Sequence, residues 1–236
     1  MKVERSNPNK QIQRERTIQY YIEAAIKIIE KEGMSAVTIR KVSDLAGYNS
    51  ATLYNYFDNL QHLLFFASMT YLDEYIDDIP LYIKYAENAE DVYLQDWRCF
   101  LDHAFLRPEI YNTLFFSELK GDVDSYASQY YALYPLDIKK YSPEIRRMLN
   151  TGTLEERNKV LITDCVKEGF VEEEAVTPIT TLSSCVLESM LARTLKRKLT
   201  AGIAKEQCEY YIRMAYFGLK NRKNLANYSS YMPLDR

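Results

Sequence analysis

The chain has 236 residues, of which 47% are hydrophobic, and contains only seven glycines and seven prolines. Apolar residues recur at helical spacings without alternating strand patterns, which predicts an all-helical fold with a small module joined to a larger one. The net charge of −3 argues against a surface that is basic throughout. We expect a cytoplasmic protein, because the four cysteines are scattered, no signal peptide is recognisable and no uncharged apolar run reaches about 18 residues.

The charge is unevenly distributed along the chain. Residues 1–60 carry nine Lys/Arg and seven Asp/Glu, a net charge of +2, and the remainder carries −5. Basic side chains are most frequent near the start, where we predict a flexible basic arm over residues 1–13. A surface that faces a polyanion is therefore expected at the N-terminal end.

The first predicted helix runs from Arg14 to Glu32. Its apolar residues fall at i, i+3, i+4, i+7, i+8 and i+11, which is one helical face: Ile18, Tyr21, Ile22, Ala25, Ile26 and Ile29. Gly33 is a suitable residue to end it, because glycine adopts a left-handed backbone without strain. A short second helix is predicted to begin at Thr38, as its cap, and to end at Gly47.

The third helix is predicted to start at Asn49 or Ser50 and to run to Phe57, with Leu53 and Phe57 facing inward. Its other side carries an unusual mixture of tyrosines and small polar residues. A fourth helix, capped by Asp58 or Asn59, is expected to continue to about Asp78 and to stop before Pro80.

Further helices are predicted near 89–106, 109–118, 123–134, 143–150, 154–168, 174–198 and 205–220. The domain organisation that follows is a helix-turn-helix module over residues 14–60, supported by a helix over 59–78, and a larger helical domain over residues 61–223. The tail, residues 224–236, is polar and is expected to be irregular.

Two short helices joined by a tight glycine turn form a helix-turn-helix unit, whose second helix enters the DNA major groove. The segment IRKVSDLAGYNSATLYNYFDN, following YYIEAAIKIIEKEG, closely resembles the DNA-binding region of TetR-family (tetracycline-repressor-like) regulators. The resemblance covers residues 14–66, a little under a quarter of the chain. It implies a transcriptional regulator whose larger domain binds a small molecule and forms a homodimer.

The resemblance also implies roles for individual residues. Tyr54 and Tyr56 would hold backbone phosphates, Thr38 and Thr52 would add hydroxyl contacts, and Arg40, Ser50, Ala51 and Asn55 would face the groove. Because arginine paired with guanine is the most common specific contact, Arg40 is the best candidate base reader. The family usually has a lysine where this chain has Leu60, so we expect basic residues around Lys10, Arg14 and Arg16 to replace that phosphate contact.

Other interpretations remain open for several residues. Tyr54 and Tyr56 could pack between the third and first helices, and Tyr48 is expected to pack the turn. His103, one turn after Cys99, could begin a zinc site, but the absence of a second such pair favours a core or pocket histidine and no bound metal.

The tyrosine-rich larger domain could use its aromatic residues as core or as a pocket for an aromatic or amphipathic ligand. The candidate ligand-binding residues are Trp97, Phe100, His103, Tyr111, Phe115 and Tyr130. No nucleophile, metal-protease or phosphate-loop motif occurs, so we expect neither an enzyme nor a cofactor. Wide apolar stripes near 174–198 and 205–220 predict a four-helix dimer interface.

The sequence therefore predicts a ligand-released repressor that binds a palindromic double-stranded DNA operator as a homodimer. The alternative is a helical small-molecule-binding protein whose DNA module is vestigial, for which Leu60 is the best support.

Overall fold

The computed structural model describes residues 8–117, 123–149, 151 and 153–221. All regular structure in these ranges is helical, which confirms the predicted all-α class. The helices are α1 (Pro8–Glu32), α2 (Ile39–Ala46), α3 (Ser50–Leu53), α4 (Leu60–Tyr82), α5 (Ala89–Leu106), α6 (Pro108–Phe115), α7 (Val123–Leu133), α8 (Pro143–Leu149), α9 (Leu154–Lys167), α10 (Val176–Leu195) and α11 (Ala201–Leu219).

The described residues divide into two compact units. The first contains the chain up to Tyr71 together with Ser117–Leu136, and the second contains Leu72–Phe116 and the chain from Asp137 onward. Helix α4 thus supplies residues to both units, and α7 belongs to the first. This division differs from the boundary predicted at residue 60, because Phe66 of α4 packs on Phe57 of the N-terminal module and α7 packs on the start of α4 through Tyr126 and Tyr130.

The core of the first unit is formed where α1 meets the two short helices. Tyr21 and Ile22 of α1 are fully buried, as is Val42 of α2. The apolar face predicted for the first helix is therefore the buried face, apart from Ile26 and Ile29, which are half-buried. Burying side chains of this size stabilises the unit by about 1.5–3 kcal/mol each.

Several predicted helix boundaries are wrong. Helix α1 begins at Pro8 rather than Arg14, so residues 8–13 of the predicted flexible arm are helical; proline is well tolerated in a first helical turn, where its missing N–H has no partner to lose. Residues 1–7 lie outside the described part of the chain. Helix α4 continues to Tyr82, because Pro80 lies in its last turn and removes only one backbone hydrogen bond.

The third correction concerns α3, which ends at Leu53 rather than Phe57. Beyond it the backbone N–H groups of Asn55 and Tyr56 bond to carbonyls three residues back, Thr52 at 3.1 Å and Leu53 at 2.9 Å. This tighter winding turns the chain so that Phe57 enters the core.

The second unit is built around α5, α9, α10 and α11. Aromatic side chains dominate its interior: Tyr75, Tyr93, Phe100, Tyr111 and Tyr216 are all buried. Capping residues set the helix starts, as in Thr153, whose hydroxyl and Glu156 form a reciprocal capping box at the start of α9. Thr200 caps α11, which explains why this helix begins four residues before the predicted position.

Helices α10 and α11 pack together and leave an apolar outer face, which we call the α10–α11 face. Its members expose between 42% and 61% of their surface: Leu182, Ile203, Tyr210, Tyr211, Met214 and Phe217. The inward side of α11 consists instead of Ala204, Cys208, Ile212 and Tyr216. The apolar stripe predicted for the last helix is therefore its exposed side.

Within the described part of the chain, Glu173–Leu195 is the one helical stretch long and apolar enough to cross a membrane, judged by length and composition, with a mean hydropathy of 1.3. This is weak evidence for a membrane span, because the core helices of soluble proteins meet the same criteria. The predicted irregular tail, residues 224–236, lies outside the described residues.

Candidate nucleic-acid interface and buried cavity

The turn between α2 and α3 is fixed by capping at both ends. The Thr38 hydroxyl accepts a hydrogen bond from the Lys41 N–H at 3.2 Å, and Gly47 ends α2 with φ of 79°. That backbone conformation is strained for any residue with a side chain. Asn49 then starts α3 by accepting a bond from the Thr52 N–H at 2.8 Å. The predicted helix-turn-helix is therefore confirmed in its helix order and its caps.

Helix α3 is held at a fixed angle by the two predicted inward residues. Leu53 is completely buried and Phe57 is 1% exposed. The Phe57 ring packs edge-on against Tyr21 of α1, with ring centres 6.2 Å apart, and against Phe66 of α4 at 5.7 Å. These contacts attach α3 to the two longer helices on either side of it.

Most of the predicted DNA-contacting residues lie on the surface. The Arg40 side chain is 90% exposed, with its nearest acidic group, Asp44, at 3.9 Å. Tyr54 exposes 56% of its surface, which argues against the interpretation that it packs between helices. Thr38, Ala51 and Asn55 are also exposed, and Ser50 and Thr52 are half-buried.

Tyr48 and Tyr56 lie against α1. The Tyr48 ring is centred 5.5 Å from that of Tyr21, which confirms its predicted packing role. Tyr56 is half-buried and its ring lies 6.1 Å from that of Tyr21. The packing interpretation is therefore partly correct for Tyr56, which still has one accessible edge.

Arg14 has a position that the sequence did not predict. Its guanidinium lies 5.2 Å from the centre of the Tyr56 ring, and its Nη1 donates to the Asn55 carbonyl at 3.4 Å. A cation at this place interacts favourably with the tyrosine ring and with carbonyls just beyond α3. Arg14 therefore stabilises the chain just beyond α3, at Asn55 and Tyr56, and also adds positive charge there.

A second unpredicted cluster fixes the start of α4. His62 stacks on Tyr126 of α7, with ring centres 3.8 Å apart, and the Tyr126 hydroxyl donates to the Asp58 carboxylate at 2.7 Å. The Asp58 N–H donates to His62 Nδ1 at 3.2 Å. Burial lowers the pKa of His62, with Asp58 acting in the opposite direction, so the ring is favoured in its neutral form.

Comparison with known proteins identifies the N-terminal module. Residues 22–65 match the sequence model for bacterial regulatory proteins of the tetR family. This N-terminal module is a TetR-family DNA-binding domain. No curated protein sequence matches it.

Solved structures share the fold, among them two that are described as TetR-family proteins. A putative TetR-family regulator from Syntrophomonas wolfei is 17% identical with a TM-score of 0.57, covering 86% of this chain and 96% of its own. FadR from Thermus thermophilus, solved with lauroyl-CoA, is 12% identical with a TM-score of 0.56 over 87% and 96%. RolR, solved with resorcinol, is 17% identical with a TM-score of 0.57 over 96% and 98%. At these identities the likeness establishes the fold.

With this TetR-family module, the protein is a DNA-binding transcriptional regulator with a helical C-terminal domain. The second unit contains a buried cavity lined by residues of α4, α5, α8 and α9. About 20 Å³ of it is open to the centres of water molecules, which is enough for one or two waters. Three of the lining side chains are polar and buried: Asp96, Arg157 and Asn158.

The candidate ligand-binding residues of the regulator do not form one site. Trp97 and Phe100 line the cavity, and Tyr111 and Phe115 pack behind Phe100 with ring centres 5.3 Å and 5.4 Å away. The other two members of the predicted set lie elsewhere. His103 is 3.0 Å from the Asp78 carboxylate, and Tyr130 belongs to the first unit, where it contacts Phe66.

The set of ligand-binding residues predicted from the sequence thus omitted the three buried polar residues of the cavity, Asp96, Arg157 and Asn158. Their sequence signal was weak, because Asp96 occurs in an ordinary polar position of α5 and the pair Arg157 and Asn158 follows a capping sequence. Among the described residues, no group of three or more His, Cys, Asp or Glu side chains could hold a metal ion. Cys99 instead directs its thiol toward the Tyr75 carbonyl at 3.8 Å, and burial raises its pKa.

Proposed function

We propose that this regulator is a repressor that binds a palindromic operator as a homodimer in the cytoplasm and is released by a small ligand. The observation that supports DNA binding most directly is the exposed face of α2 and α3. A cation and a tyrosine, Arg40 and Tyr54, extend from a helix pair whose angle is fixed by Leu53, Phe57 and the Gly47 turn. Exposed aromatic and cationic groups on a rigid helix are suited to the major groove.

The roles that we propose for the residues of this face follow from the chemistry of their side chains. The hydroxyls of Tyr54, Tyr56, Thr38 and Thr52 donate to phosphates, which positions the protein without reading sequence. Arg40 pairs with guanine, and the three remaining predicted groove residues contact base edges: Ser50, Ala51 and Asn55. Because Arg14 already contacts Asn55 and Tyr56, it supports these groups from behind while adding charge near the phosphates.

The α10–α11 face supports the homodimer. Six large apolar side chains exposed on one pair of packed helices are unusual on a monomer. Two copies related by a two-fold axis would bury it as a four-helix bundle. The same symmetry would place two copies of α3 about one DNA turn apart, roughly 34–36 Å.

Release of the operator by a ligand is supported by α4, which contributes residues to both units. Helix α4 supplies residues to the recognition module at its start and to the cavity through Tyr75. A ligand that favours one position of α4 would therefore alter the recognition module. A coupling free energy of about 1–3 kcal/mol would weaken operator binding roughly five- to 150-fold. The two relatives solved with lauroyl-CoA and resorcinol add general support for a ligand.

Selection of bound duplexes from a random DNA pool tests the proposed DNA function. The wild-type chain is expected to enrich an inverted repeat whose half-sites are centred about 10–10.5 base pairs apart. A matched control is the Arg40→Ala, Tyr54→Ala double variant, which should fold normally because both side chains are exposed, yet should lose enrichment. Failure of the wild-type chain to enrich any sequence would contradict the proposal.

The second candidate function is a ligand-binding protein with a vestigial DNA module. It is favoured by Leu60, the first residue of α4, where the family resemblance leads one to expect a lysine. An absence of DNA binding together with saturable ligand binding would support this function over the repressor.

A further inference from the structure

The cavity in the second unit contains a polar side chain that has no partner. Asn158 is 5% exposed, lines the cavity, and neither its Oδ1 nor its Nδ2 makes a hydrogen bond to any described residue. Buried amides are nearly always paired, because an unpaired one forfeits its hydrogen bonds to water. The amide of Asn158 is therefore free to bond to a polar group placed in the cavity.

Arg157 adds a cation with unused donors. The side chain is 6% exposed; its Nε donates to the Thr151 carbonyl at 3.2 Å, whereas Nη1 has no partner among the described residues. Arginine stays charged at any physiological pH. A buried guanidinium with an unsatisfied edge is well suited to a planar group with two oxygens.

Asp96, the acidic residue of the cavity, does not form an ion pair with Arg157. Asp96 lines the cavity and its Oδ1 accepts a hydrogen bond from the Tyr75 hydroxyl at 2.8 Å, but it forms no ion pair within 4.0 Å of Arg157. Burial raises the pKa of Asp96 to about 7, opposed by the Tyr75 hydrogen bond and by Arg157. Near neutral pH the carboxyl is therefore uncharged in a large share of molecules, and Arg157 is then the only fixed charge among the described residues that line the cavity.

We propose that this cavity binds the carboxylate of a small organic acid, with Arg157 Nη1 and Asn158 Nδ2 donating to its oxygens. The rings of Trp97 and Phe100 flank the apolar remainder of the ligand. This inference rests on the proposed function, since it names the ligand class of the same regulator. The space now open accommodates a group of carboxylate size, so the ring of even a compact acid requires Trp97 and Phe100 to move apart, and a long acyl chain would require a larger rearrangement.

The two donors, one of which belongs to the guanidinium of Arg157, distinguish a carboxylate from its neutral amide. The amide lacks the negative charge that balances Arg157, and one of its two polar atoms is a donor that would face the donors of Arg157 and Asn158. Protonated Asp96 can donate to a bound carboxylate, whereas its ionised form repels it. The other titratable groups near Asp96 are Tyr75 on α4 and Tyr93 and Cys99 on α5, all uncharged at neutral pH because burial raises their pKa values.

The single tryptophan of the chain makes the test direct. Trp97 is the only tryptophan and lines the cavity, so its fluorescence reports on that site. The full-length protein is titrated at pH 7 and fixed ionic strength with benzoate and with its neutral isostere benzamide. Benzoate is expected to give a saturable change with an affinity at least about tenfold higher than that of benzamide.

Two variants test the proposed contacts. Arg157→Gln is expected to lower the affinity for benzoate by about tenfold or more, whereas Arg147→Gln, which removes an exposed arginine of the same unit that pairs with Asp164, should leave it unchanged. Asn158→Leu keeps the branched shape of the side chain and removes the unpaired amide. It should lose affinity to a similar extent while the melting temperature of the free protein stays level or rises.

The proposal is overturned if benzamide binds as tightly as benzoate, if Asn158→Leu leaves the affinity unchanged, or if benzoate up to about 10 mM does not alter the emission. Operator binding is measured separately by gel retardation. Loss of the benzoate response in a protein that still retards its selected operator would refute only the ligand class. Benzoate binding by a protein that retards no DNA would refute the proposed repressor function instead.

Discussion

Tyr54 is exposed at the end of α3, and the role proposed for it depends on its hydroxyl. Replacing Tyr54 by Phe removes one donor to phosphate and keeps the ring. We expect affinity to fall by about 1.5–3 kcal/mol, equally for selected and scrambled duplexes, because phosphates carry no sequence information. Fluorescence anisotropy with both duplexes measures this, and Tyr85→Phe, an exposed tyrosine of the second unit, is the matched control. A loss confined to one base position would contradict the phosphate role.

Arg40 is proposed to read a base rather than the backbone. Replacing it by Ala should relax preference at one position per half-site by about 1–3 kcal/mol, while binding to unrelated DNA changes little. Competition with operator duplexes carrying single substitutions provides the measurement. Lys41→Ala is the control, because Lys41 is paired with Glu32 at 2.7 Å and is not proposed to face the groove. Uniform weakening across all sequences would reassign Arg40 to phosphate.

Asp96 makes the stability of the protein dependent on pH. Its pKa is raised from 3.8 in the unfolded chain to about 7 by burial, so the folded state binds more protons between these values. The contribution of Asp96 to the free energy of unfolding is therefore greatest below about pH 4, and it is lost as the pH rises toward 7.

Asp96→Asn removes this ionisation and keeps an oxygen for the Tyr75 hydroxyl. The variant is expected to gain at least about 1 kcal/mol relative to wild type between pH 5 and pH 8. Urea unfolding at the two pH values measures the difference. If the gap between variant and wild type is the same at both, Asp96 is not ionising in this range.

At the scale of elements, the helical extension of α1 determines where the N-terminal charge lies. Lys10 is on an exposed turn of α1 rather than on a flexible arm, so a contact from it to phosphate costs less ordering entropy. Replacing Lys10 by Gln should reduce the slope of log affinity against log salt by about 1. Lys84→Gln, in the second unit, should leave the slope unchanged. An unaltered slope for Lys10→Gln would remove this residue from the interface.

At the scale of the whole molecule, function depends on pairing through the α10–α11 face. Two charges introduced by Met214→Glu and Phe217→Glu would be buried without partners in a dimer, which is strongly unfavourable. We expect this double variant to be a monomer in light scattering and to bind the operator much more weakly. Leu81→Glu, an exposed leucine of α4 in the same unit, should leave the assembly intact. A double variant that stayed dimeric would place the interface elsewhere.

The sequence by itself determined the local features of this protein. The caps at Thr38 and Asn49, the glycine turn at Gly47 and the inward pair Leu53 and Phe57 are decided by residues within a few positions of one another, and all of them were predictable. Helix order in the larger domain was predictable for the same reason, since it rests on apolar periodicity and on proline and glycine positions.

Features that join distant segments were decided only by the tertiary structure. Tyr126 reaches Asp58 and His62 across more than 60 residues, and Arg157 and Asn158 meet Asp96 in one cavity, although nothing in their local sequence distinguishes them. Periodicity indicates that a side chain is buried but not which partner it finds. Tyr130 and Trp97 were therefore predicted to share a pocket, while packing placed them in different units.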